Sequence, residues 1–197
     1  RPCHEGTRVA LLDTLHQWID LPDAPRFLCL TGLAGSGKST VAYTIASHYD
    51  RAPNTGNATT RLAASYFFAQ NSSEINDGAV LFSTLALQLA NCRTDLKTEL
   101  LRSTENTYNL GPLSLDIQYQ QYMEAMLPAL STTDRDVPRL LLVIDSLDLC
   151  PDRDVRRAVF SKLLDFADRG ENVRVLITTR MDPALRQILS PACAKAQ

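Results

Sequence analysis

The chain has 197 residues, 45% of them hydrophobic, and a net charge of −2. That length holds one α/β domain with a substantial core. The near-neutral charge, with no basic stripe, gives no footprint for nucleic acid, and no apolar run approaches the ~18 residues of a membrane span, so neither is expected as a partner.

The N-terminal Arg1-Pro2-Cys3-His4-Glu5 does not read as a signal peptide; a cytoplasmic domain cut from a longer chain is expected. Leu11, Leu12, Leu15, Trp18 and Ile19 share one helical face, predicting a helix over 7–19 that ends before Pro22 and Pro25. Phe27-Leu28-Cys29-Leu30-Thr31 reads as a buried strand running into a glycine-rich loop, followed by a helix over 40–49. Residues 51–60 form a polar linker, and Leu62 to Phe68 a second, aromatic-rich strand. Helices are predicted over 79–90, 94–105 and 115–130, with Gly111-Pro112 breaking the chain before the last.

The third strand is Leu140 to Ile144, and an amphipathic helix follows over 153–168. Its Val155, Val159, Phe160, Leu163, Leu164 and Ala167 face inward, with Arg156, Arg157, Lys162 and Asp165 outward. A fourth strand covers Val173 to Thr178, and Asp182-Pro183 opens a short final helix. Five cysteines, at positions 3, 29, 92, 150 and 193, have no metal-ligand spacing and read as reduced thiols.

Strands alternating with helices predict a three-layer α/β/α sandwich around a mainly parallel sheet. The business edge of such a sheet is at the carboxyl ends of its strands, where three motifs fall. The first is Gly32-Leu33-Ala34-Gly35-Ser36-Gly37-Lys38-Ser39, with Thr40 following. Glycines let backbone N–H groups wrap a triphosphate, Lys38 reaches its β- and γ-phosphates, and Ser39 ligates Mg²⁺. This predicts ATP or GTP with Mg²⁺ as ligands. The second motif ends the apolar strand at Asp145, read as the carboxylate that holds the cation or, more simply, as a turn cap. Asp148, three residues on, is read as the group that orients an attacking water, or as a turn or N-cap residue. The third is Thr178-Thr179-Arg180, in which Arg180 contacts the γ-phosphate or pairs with Asp182 at the surface.

With these motifs in place, the sequence resembles the NACHT family of STAND-class P-loop NTPases, in the version found in fungal NOD-like receptors. The resemblance rests on Thr31 to Thr40 as Walker A, Leu142 to Cys150 as Walker B, Ile177 to Arg180 as sensor, and Gly6-Thr7-Arg8 as the N-terminal extension. It implies a helical extension over 1–25 and a nucleotide-binding core over 26–197 lacking its C-terminal continuation. Thr7 and Arg8 join the nucleotide-binding residues. Ser146 is the small residue that follows the metal-binding aspartate, and Leu149 stands where the family has Glu. The implied activity is slow nucleoside-triphosphate hydrolysis, driving a switch in innate immunity or programmed cell death. The full receptor would self-associate and the isolated domain remain monomeric. A nucleotide-binding module without turnover is the alternative. A small-molecule P-loop kinase is a third, for which no arginine-rich lid is legible.

Overall fold

In a computed structural model of the chain, residues 2–4, 6–51, 60–69, 78, 80–105, 113–131, 137–181, 183 and 185–188 are described. Most of the expected 51–60 linker, the Gly111-Pro112 break and Asp182 lie outside them. Four parallel strands form one sheet: β1 (Phe27–Thr31), β2 (Thr60–Phe67), β3 (Arg139–Asp145) and β4 (Val173–Thr179), in the spatial order β1-β4-β3-β2. Parallel neighbours require crossovers, and the helices that supply them cover both faces.

The apolar runs explain the layering. In β3, Leu140, Leu142 and Ile144 enter one core while Leu141 and Val143 enter the other. In β4, Val173, Val175 and Ile177 face the first core and Leu176 the second. All are fully buried, each contributing about 1.5–3 kcal/mol by area. The larger core receives α3 (Leu81–Cys92), α4 (Thr94–Thr104), the 115–130 segment and α7 (Arg153–Arg169); the smaller receives α1 (Val9–Asp20) and α2 (Lys38–Asp50). The expected three-layer α/β/α architecture, of P-loop type, is therefore present.

Three local readings change. The 115–130 segment is not one helix: α5 (Leu115–Gln118) passes into a π-helical turn (Tyr119–Met123), a 3₁₀ turn (Glu124–Met126) and then α6 (Leu127–Leu130). Pro128 lacks an N–H, and in a continuous helix its ring would strike the carbonyl of Glu124. Lys162 and Asp165, expected to face solvent, meet this segment instead. Lys162 pairs with Asp116 at 2.6 Å and lies over the Tyr119 ring, and Asp165 accepts the Tyr119 hydroxyl at 2.6 Å. Phe166, absent from the expected inner face, is fully buried. Strand β2 begins at Thr60 and carries an irregularity between Leu62 and Ala64. Its outer edge is closed by Gln88, whose side-chain amide accepts from Ser65 N at 2.9 Å and donates to Ser65 O at 3.1 Å.

Helix α1 is anchored through its C-terminal half. Arg174, fully buried on β4, donates to the carbonyls of Leu21 and Pro22, and Arg139 donates to that of Ile19. Burial, then the neighbouring Arg139 and Arg26, pushes the Arg174 pKa down to about 10, so the guanidinium stays charged at neutral pH. Against α2, Tyr49 donates its hydroxyl proton to Asp20 at 3.1 Å, which leaves His16 Nδ1 as the donor to the Tyr49 oxygen, also at 3.1 Å. His48 lies against the His16 ring, with centroids 4.5 Å apart.

Burial first, then His48, lowers the His16 pKa below 6.5, while Asp20 and Asp13 work in the opposite direction. The unfolded chain therefore protonates at His16 more readily than the folded one. The His16 share of stability is complete above pH 6.5 and is lost as pH falls through its lowered folded value. Urea midpoints measured at about pH 7.5 and about pH 5 are expected to fall more for the parent than for His16→Gln. Equal drops would assign the pH dependence to other groups.

Candidate functional site

Strands β1, β3 and β4 deliver the three motifs to one edge, because all are parallel and adjacent. The loop from Gly32 to Gly37 joins β1 to α2. Gly35 and Gly37 have φ of +71° and +83°, a region that favours glycine. A Cβ on Gly37 would stand 2.9 Å from the Arg8 guanidinium, and one on Gly32 would stand 2.9 Å from Ser36 Oγ. The positive φ therefore favours glycine at 35 and 37, whereas the close approaches at 32 and 37 are to ends of movable side chains. Ala34 and Gly35 are exposed, and the Leu33 side chain points outward, 83% exposed.

Lys38 opens α2 and folds back across the loop. Its Nζ donates to the carbonyls of Gly32 and Leu33, each at 2.9 Å. Ser39 follows with an exposed side chain, and the Thr40 carbonyl accepts the Thr44 hydroxyl at 2.8 Å within the first turns of α2. From the N-terminal side, Arg8, itself left-handed at φ 56°, donates to the Ser36 carbonyl. Of the two extension residues, Arg8 is brought to the loop. The Thr7 hydroxyl donates instead to the His4 carbonyl at 2.6 Å.

At the end of β3, Asp145 is 2% exposed, and both its oxygens accept protons. Thr178 Oγ1 donates to Oδ1 at 2.5 Å, and Ser146 Oγ donates to Oδ2 at 2.9 Å. Thr178 Oγ1 also accepts the Ser146 N–H at 2.9 Å. Ser146 adopts φ 59°, ψ 43°, which turns its hydroxyl towards α2, 3.0 Å from Ser39 Oγ. Thr178, Asp145, Ser146 and Ser39 thus form one hydrogen-bonded chain from β4 through the end of β3 to the first turn of α2.

Beyond Ser146 the chain makes one 3₁₀ turn (Leu147–Leu149). Asp148 Oδ2 pairs with Arg180 Nε at 3.0 Å, and its Oδ1 accepts the Arg180 N–H at 3.1 Å. Arg180 is thus held by Asp148 across the strand ends. Its side chain is about half exposed, so the pair itself adds little stability. Asp148 does not cap the next helix; Asp152 does, accepting from Asp154 N and Val155 N. Leu149 packs against the larger core.

Sequence reasoning placed all three motifs but missed what Thr178 and Ser146 do. The available signal was a polar Thr at the end of an otherwise apolar, fully buried strand, where a buried hydroxyl must find a partner. Among the described residues, no cluster of His, Cys, Asp and Glu has a metal-binding arrangement, and no helix is long and apolar enough to cross a membrane. Among the described residues, Cys3, Cys29 and Cys92 are free thiols, and Cys150 is buried. A cavity of about 460 Å³ lies away from the strand ends, at the outer edge of β2, where Tyr43, Asp50, Arg61 and Gln88 are among its walls.

Fold and strand-end cluster together define an α/β protein of the P-loop-like, three-layer parallel-sheet class. A family profile described as "Nephrocystin 3, N-terminal" matches residues 6–180, from the glycine before Arg8 to Arg180 itself. The chain belongs to that family. No curated protein matches it.

Thr178→Val keeps the shape of the side chain but removes the proton given to Asp145 and the acceptor for Ser146 N–H. A loss of about 1–3 kcal/mol is expected in urea denaturation. An unchanged midpoint would show that the buried carboxylate does not depend on Thr178.

Proposed function

We propose that the chain binds a nucleoside triphosphate, ATP or GTP, with Mg²⁺, as a NACHT-type switch domain. The observation that carries this reading is the contact of the Lys38–Ser39 loop end with the Asp145 carboxylate through Ser146, at 3.0 and 2.9 Å. The groups suit the ligand. The left-handed backbone at Gly35 and Gly37 suits a backbone cradle for phosphate. Lys38 Nζ, already inside the loop curve, is a movable cation for the β- and γ-phosphates. The donors around Ser39 are all oxygens, which match a hard divalent ion. Mg²⁺ would neutralise phosphate charge there. Ser39 would hold it directly and Asp145 from behind, since both Asp145 oxygens already accept hydroxyl protons.

Turnover in this reading is slow. Asp148 accepts from both the side chain and the backbone of Arg180. Release of that pair would open the carboxylate to water and free the guanidinium for a γ-phosphate. Leu149 offers no second acid. A module that binds without turnover is the second reading, favoured by the packing of Leu149 against the core. At the level of the whole protein, the proposal is a cytoplasmic signalling receptor of NOD-like type that self-associates, with this domain monomeric on its own.

Lys38→Ala is expected to weaken triphosphate binding by roughly 10- to 100-fold in fluorescent-nucleotide titrations, because charge-assisted contacts are lost. An unchanged affinity would remove the phosphate role of the loop.

In single-turnover assays the parent is expected to release phosphate slowly, and Asp148→Asn to release none. Leu149→Glu forces a carboxylate against the apolar core and is expected to lower stability without raising the rate. A parent that is inert, and rescued by Leu149→Glu, would overturn the role given to Asp148.

A further inference from the structure

We propose that Ser146 is a positioning residue that leaves the Ser39 lone pairs for the divalent cation, by accepting the hydrogen bond that the Ser39 hydroxyl donates. This rests on the nucleotide reading above.

A serine hydroxyl has one proton to give and two lone pairs to offer. Ser146 Oγ gives its proton to Asp145 Oδ2 at 2.9 Å. Its contact with Ser39 Oγ at 3.0 Å must then use the proton of Ser39. The order is Ser39 O–H to Ser146 O–H to Asp145 carboxylate, and the lone pairs of Ser39 are left for another partner. On the other carboxylate oxygen, Thr178 Oγ1 gives its proton to Asp145 and accepts the Ser146 N–H. Backbone and side chain of Ser146 are therefore both fixed by the same carboxylate.

The backbone supports this assignment. Ser146 sits at φ 59°, where a Cβ carries a steric cost that glycine avoids. A small residue alone would be met more easily by glycine. What serine adds is the hydroxyl, and its oxygen is where the loop meets the end of β3. Without it the Ser39 hydroxyl is free to rotate, and its proton can point where a cation would bind. Asp145 would then act on the cation only through space. Ser146 touches neither phosphate nor water in this scheme; it acts through Ser39.

The experiment compares the parent, Ser146→Gly, Ser146→Ala, Ser39→Ala and the Ser39→Ala/Ser146→Gly double variant. Equilibrium nucleotide affinity is measured in excess Mg²⁺ and in EDTA, with ATP and with GTP. Ser146→Gly is expected to bind in EDTA within about twofold of the parent, and to lose about tenfold of the gain that Mg²⁺ gives. Ser146→Ala should lose the same, because both variants lack the hydroxyl. In the Ser39→Ala background, Ser146→Gly should cost less than about twofold, since the group it positions is gone.

A full Mg²⁺ gain in Ser146→Gly overturns the proposal. So does a loss confined to Ser146→Ala, because glycine lacks the hydroxyl as well, and so does a loss undiminished in the Ser39→Ala background. A parent whose affinity shows no Mg²⁺ gain contradicts the nucleotide reading itself, and the role of Ser146 falls with it.

Discussion

A single buried carboxylate organises the functional edge of this fold. Asp145 ends β3 almost without solvent, and its two oxygens are claimed by hydroxyls from two different places, Thr178 of β4 and Ser146 of the turn that follows. A charged group in such a position is expensive unless it is paired or hydrogen-bonded, so the surrounding chain is constrained to supply donors. That constraint sets the left-handed backbone of Ser146, the placement of a polar Thr at the end of an apolar strand, and the approach of the glycine loop through Ser39.

The rest of the architecture keeps these donors in register. Because β4 lies between β1 and β3, Thr178 is fixed laterally by Leu30 on one side and, one residue earlier, by the Ile177–Ile144 pairing on the other. Two separate cores clamp the sheet, so that neither strand can slide without exposing leucine and valine on both faces. Helix α1, tied to the sheet by Arg174 and Arg139 and to α2 by Tyr49 and His16, carries Arg8 to the back of the loop. The loop is thereby held from the extension, from α2 and from β3. A second latch, Asp148 with Arg180, joins the same strand ends further out, with the Arg180 side chain about half exposed.

Much of this was legible in the sequence. Leu140 to Ile144 announced a strand covered on both sides, and the glycines from 32 to 37 announced a tight turn between a strand and a helix, because each pattern reflects a local steric demand. What was not legible depended on packing between segments. Thr178 and Ser146 gain their roles only when β3 and β4 are neighbours. Lys162 and Asp165 looked like solvent residues because their partners, Asp116 and Tyr119, lie over forty positions away. Arg180 was weighed against Asp182, the nearest acid in sequence, but its described partner is Asp148, 32 residues earlier. Pro128, by contrast, was a local signal overlooked, and it breaks the segment that read as one helix.

The central claim is that the strand-end cluster is a site for a nucleoside triphosphate and a divalent ion. Calorimetric titration of the parent chain with ATP, GTP and their diphosphates, in Mg²⁺ and in EDTA, tests it most directly. Saturable binding of at least one triphosphate at a single site, strengthened by Mg²⁺, is expected. Absence of binding by every nucleotide, or binding indifferent to Mg²⁺, would contradict it.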